Sequence, residues 1–144
     1  MKLLTLIALG ATLATTAAFA EESYKPSVKV KRILQTTTTT SGDPIHYPSF
    51  TDPEVQSLIV EIPAGGETGW HTHPVPAYAY ILAGTIEVDS EGGAQRIFKA
   101  GDSFAEMVDH RHNGRVVGDE TVRILMIVTG QKGMPFSTRT AAPE

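Results

Sequence analysis

The chain has 144 residues, a formal net charge of −4, 41% hydrophobic residues and no cysteine. That length supports one domain with a single core. The absence of thiols rules out disulfides and thiolate metal sites, and mild acidity without a face-sized basic cluster argues against nucleic acid.

In chain order, Lys2, the apolar run Leu3 to Leu13 and the small-x-small end Ala18-Phe19-Ala20 predict a cleavable secretory leader over residues 1–20. The run is about half of what a membrane span needs. The expected mature chain begins at Glu21, is periplasmic or secreted, and has no membrane partner. Residues 21–54 are expected to hold an N-terminal strand or strands and a loop arm, 55–132 a β-barrel core, and 133–144 an irregular, mobile tail. Within the arm, Val28–Leu34 alternates apolar residues with Lys29, Lys31 and Arg32, the pattern of a charge-guarded edge strand. The run Thr36 to Thr40 reads as an extended edge segment, because threonine is β-branched. A Pro-rich loop carrying His46 at its surface follows.

No later segment keeps a 3.6-residue period. Short β-prone runs recur instead: Val55–Ile62, Ala77–Leu82, Thr85–Asp89, Gln95–Lys99, Ser103–Met107 and Thr121–Thr129, separated by Gly-rich turns. Many short strands mean a sandwich or a barrel. From pattern alone an immunoglobulin-like sandwich is the alternative, and a pair of histidines two apart on one strand, His71 and His73, tips the choice to a small jelly-roll barrel.

The most informative residues are His71-Thr72-His73. Two histidines two apart on a strand project to one face and can share a metal ion. The preceding glycines and the following Pro74 and Pro76 disfavour a helix. A third histidine, His112, follows a Gly-Asp turn, and His110 makes His110-Arg111-His112 a second such pair. If the same alternation holds, Trp70 faces away from the metal. Three neutral imidazoles suit one divalent transition metal ion (iron, manganese, copper, nickel or zinc) rather than magnesium or calcium.

Residues 65–84 resemble the first motif of the cupins: Gly65, five residues, His71, one residue, His73, and a closing Gly84. Residues 101–116 are similar to the second, with Gly101 opening it and His112 at the ligand position. The resemblance implies an all-β, double-stranded β-helix (jelly-roll) barrel. It also implies a metal held by His71, His73 and His112, and association as a homodimer. This chain departs from the family where the motif-1 glutamate is replaced by Ala77. The motif-2 Pro, Gly and Asn positions hold Met107, Asp109 and Val116.

Ala77, Ala79 and Ile81 share one strand face with room beside them, so they and Phe104 are expected to line a pocket. The alternative is that the alanines only make space for Phe98 or Phe104. Glu106 is the candidate catalytic carboxylate, since a charge on the face of Phe104 needs a partner; Glu67 is second. His110 is either a fourth ligand or a residue of the rim. Arg96, Arg111 and Arg115 are candidates for binding a substrate carboxylate. The expected function is that of an exported metalloenzyme, with dioxygenase, isomerase or lyase chemistry on a small carboxylate, enolate or catechol. The competing reading is a non-catalytic module holding a metal or small ligand, which the loss of the glutamate favours. A cupin with a vacant site is a third. Bound metal, measured on untagged protein, separates them.

Overall fold

The computed structural model describes residues 24–144; the predicted leader and its cleavage point lie outside them. The described residues up to Lys31 and the segment Arg32–Glu144 form separate compact units. In the first, a turn closes with the Val28 amide donating to the Lys25 carbonyl at 2.9 Å.

Among the described residues there are nine strands and no helix: β1 Pro53–Ile62, β2 His71–Thr72, β3 Ala77–Ala83, β4 Thr85–Ser90, β5 Gln95–Lys99, β6 Ser103–Ala105, β7 His112–Val116, β8 Val122–Gln131 and β9 Thr138–Arg139. They build two antiparallel sheets, ordered β1-β8-β3-β6 and β5-β4-β7-β2-β9. The architecture is all-β, a jelly-roll barrel, as the sequence predicts. Alternation explains the core. Along β8 every second residue from Val122 to Val128 is buried, and along β3 Ala77, Ala79 and Ile81 are. These residues meet Ile86 and Val88 from the facing sheet in one cluster. At the β3–β4 turn Gly84 has φ +76°, and an added Cβ would lie 3.0 Å from the Thr121 carbonyl oxygen. That turn therefore requires glycine.

Three local expectations give way. Val28–Leu34 forms no strand. Thr36 to Thr40 is a turn-forming loop rather than an edge strand. Its hydroxyls bond locally, Thr36 Oγ1 donating to the Thr38 carbonyl, and Thr38 makes a single bridge to Pro44; such bonds compete with sheet pairing. The end of the chain is not simply an irregular tail, because Thr138 and Arg139 pair with Thr72 and His71.

Candidate metal centre

His71 lies on β2, His73 one residue beyond its end, and His112 opens β7 directly opposite His71 in the β2–β7 pair. Their ring centroids are 4.3 Å apart for His71–His112 and 5.1 Å for the other two pairs. One ligand nitrogen from each lies within 4.8 Å of the others, so the three can hold a metal ion. Each ring is anchored through Nδ1 to a backbone carbonyl: His71 to Gly69 at 2.8 Å, His73 to Phe136 at 2.7 Å and His112 to His110 at 2.8 Å. A carbonyl only accepts, so each Nδ1 must carry the proton and each Nε2 keeps its lone pair. Nε2 of His73 and Nε2 of His112 are buried with no hydrogen-bond partner. Two orphaned imidazole acceptors facing each other are costly, and a divalent ion removes that cost. The donor set therefore fits a transition metal.

Burial and the neighbouring His112 lower the pKa of His71 to about 4, and burial lowers that of His112. Both rings are consequently neutral near pH 7, the state a ligand needs.

Glu106 is buried, and its Oε2 lies 3.7 Å from Nε2 of His112. Its amide donates to the carbonyl of Ala77 at 2.9 Å. Glu106 thus lies one position past β6, bonded through its backbone to Ala77 and with its carboxylate beside the histidine cluster. Glu67 lies in the loop before β2, lines the same cavity, and accepts a 2.9 Å bond from Nδ2 of the buried Asn113. His110 is turned away: its Nε2 meets the Glu91 carbonyl at 3.2 Å and it is not in the histidine cluster.

The histidines open onto a cavity of about 370 Å³ between the sheets, which Phe104 and Glu106 also line. Ala77, Ala79 and Ile81 are buried as expected but do not line it; Ala77 borders a different hollow beside Pro44 and Pro76. Ala79 pairs with Phe104, whose ring stacks on Phe98 at 3.9 Å. The alanines make room for those rings, and longer side chains from β1, β4 and β8 form the wall. Trp70 lines the cavity rather than facing away, because Gly69 at φ +73° breaks the alternation before β2 begins.

The arginines also redistribute. Arg111 is paired with Glu91, and Arg115 bonds Glu87 at 2.7 Å and Asp89 at 2.6 Å. None of Arg96, Arg111 and Arg115 lines the cavity; Arg139 does. The sequence gives little sign of Arg139 or of the Phe136 carbonyl. Their segment is two strand residues long, too short for periodicity to register.

Residues 58–128 match the family profile described as a cupin domain. No curated protein matches the sequence. Among solved structures, the chain is similar to an oxalate decarboxylase–formate complex from Lactobacillus farciminis, with 24% identity and TM-score 0.51 over 59% of this chain and 26% of that one. It is similar to a DMSP lyase from Ruegeria pomeroyi, with 28% identity and TM-score 0.53 over 60% and 43%. A third is an oxalate oxidase bound to the substrate analogue glycolate, with 21% identity and TM-score 0.51 over 58% and 45%. The chain spans about a quarter of the first relative and under half of the others.

Proposed function

We propose that this chain is a small cupin metalloenzyme in which His71, His73 and His112 hold one divalent transition metal ion and Glu106 is the acid–base residue. The observation that supports it best is the pair of partnerless Nε2 atoms with a buried carboxylate 3.7 Å away. A bound ion would supply Lewis-acid polarisation of a substrate oxygen or, as iron, manganese or copper, redox chemistry with dioxygen. The protein's part is to fix the ligand tautomers through three carbonyls, hold Glu106 where it can give or take a proton at a carboxyl oxygen, and keep the cavity walls dry. Candidate reaction classes are a dioxygenase or oxidase step and a lyase, decarboxylase or isomerase step on a small acid, enolate or catechol.

Metal analysis of the untagged protein is the first test. Stoichiometric iron, manganese or copper supports the reading, and a protein that takes up no metal rejects it. Oxygen uptake and decarboxylation are then measured with oxalate and catechol as probes. Glu106→Gln keeps the shape and removes the base. It should reduce any turnover found by about 10²- to 10⁴-fold while metal content persists.

A second reading, a non-catalytic metal- or ligand-binding module, is favoured by Ala77 at the family's glutamate position. Export and dimerisation belong to the same proposal. Intact mass of protein from the exported fraction should start at Glu21, and sedimentation should give a homodimer. The exposed apolar residues Val55 and Ile59 on the edge strand β1 are consistent with a covered face.

A further inference from the structure

Most of the cavity wall is hydrocarbon. Val60 and Ile62 from β1, Ile124 and Met126 from β8, Ile86 from β4 and Phe104 from β6 all face the space that the histidines open onto. Water held there would lack the two to four polar partners it needs along that wall. A fully polar ligand would likewise leave the hydrocarbon unmatched and lose its own hydration. An apolar ligand body gains on both counts, and about 370 Å³ is at the small end of ligand sites.

Against the carboxylates of Glu61, Glu67 and Glu106, the cavity lining holds one guanidinium, that of Arg139. Arg139 lies directly opposite His71 in the β2–β9 pair. Directly opposed residues put their side chains on one face of a sheet, and both of these line the cavity. Among the described residues Arg139 has no ion-pair partner, whereas Arg111, Arg115 and Arg123 all do. An unpaired guanidinium beside the histidine cluster matches a carboxylate or an equally acidic oxygen pair.

We propose that the ligand of this site is a small monocarboxylate with an apolar body, its acidic end held between Arg139 and the histidine cluster and its body against the β1–β8 wall. This inference rests on the metal-site reading above and names its substrate class. It separates this chain from the similar oxalate decarboxylase and oxalate oxidase, since oxalate has no hydrocarbon to bury. Arg139 sets specificity; Ile124 and Met126 set the size and polarity of what fits.

The test is calorimetric titration of the metal-loaded, full-length protein with acetate, benzoate and oxalate, with metal content measured on the same samples. Benzoate should bind at least tenfold more tightly than acetate and more tightly than oxalate. Arg139→Gln, an exposed position with little risk to folding, should weaken benzoate at least tenfold, with Arg139→Lys retaining part of the affinity. Ile124→Phe, which narrows the cavity, should reduce the benzoate-to-acetate ratio without changing metal content. Full metal content with benzoate no tighter than acetate, or with oxalate tightest, overturns the inference and leaves the metal site standing. Absence of metal uptake overturns both.

Discussion

The two sheets solve different problems. The β1-β8-β3-β6 sheet contains the two ten-residue strands, paired over ten consecutive positions from Pro53–Gln131 to Ile62–Val122. Its inner face is almost wholly apolar. In the β5-β4-β7-β2-β9 sheet, the strands that carry the site are short: β2 and β9 have two residues each, joined by two ladder positions. There the geometry is fixed by side chain–backbone bonds, three of them from imidazole Nδ1 atoms to carbonyls. The long regular ladder is where stability should be concentrated, whereas the irregular edge of the other sheet carries the histidine cluster, much as binding residues elsewhere sit on loops held by a rigid scaffold.

That division predicts a double dissociation. Replacing His71, His73 or His112 with Ala should abolish stoichiometric metal binding while the metal-free protein stays folded. It should lose only about 0.5–1.5 kcal/mol with each Nδ1–carbonyl bond, since the orphaned Nε2 atoms of His73 and His112 stabilise nothing without an ion. Ile81→Ala, at a fully buried position of β3, should do the reverse. It should cost about 2–5 kcal/mol of stability, read by denaturant melts, with metal content intact below the transition. Loss of metal from Ile81→Ala, or unfolding of all three histidine variants, would mean that the sheets are not separable in this way.

A chain ending at Gly133 probes the tail. It removes the Phe136 carbonyl that holds His73, together with β9 and Arg139. Loss of such a supporting partner typically weakens metal binding by about 10- to 100-fold, so competition with a chelator should show a shift in that range. The β1–β8 ladder ends at Gln131, and the barrel should remain folded. Unchanged metal affinity would reject any role for the tail at the site.

These contrasts also explain what sequence could reveal. Strands of the regular sheet announce themselves by period-2 burial: β1, β3 and β8 fall within two residues of where alternation puts them. The histidine spacing identifies the metal cluster for the same reason. At Gly69 a positive φ breaks the alternation just before β2, so Trp70 is misassigned. β7 begins at His112 with Asn113 and Gly114, both buried yet neither apolar, which hides a strand from any hydrophobic pattern. Buried Asn113 is explained by Thr68 and Glu67, partners some 45 residues away that no local signal could supply. The burial of Glu106 is legible because a charge shares a face with Phe104; its backbone bond to Ala77 is not.

Asp109 offers a smaller effect on the site-bearing side. It is the non-glycine residue with positive φ among those described, at 53°. Its amide holds the His73 carbonyl at 2.9 Å. A left-handed conformation costs an ordinary residue about 1–2 kcal/mol, with Asp the better tolerated. Asp109→Gly should therefore be neutral or stabilising by up to about 1 kcal/mol, after the entropy cost of glycine. Asp109→Val should lose about 1–2 kcal/mol. Thermal melts at fixed metal load decide it, and an equal loss in both variants would point to a role for the carboxylate itself.

The smallest expected effect is at His110, and it bears most directly on the ligand set. His112 is held by the backbone carbonyl of His110, not by its ring, so His110→Ala leaves that anchor in place. The ring bonds the Glu91 carbonyl at 3.2 Å, beside the Arg111–Glu91 pair. Removing it should cost about 0.5–1.5 kcal/mol at most, the net value of one hydrogen bond, and leave metal content full. If His110→Ala instead strips the metal as completely as His112→Ala does, the ring must swing inward when the ion binds, and the site has four histidines. Fewer coordination positions would then be open to a substrate, and a binding module would describe this chain better than an enzyme.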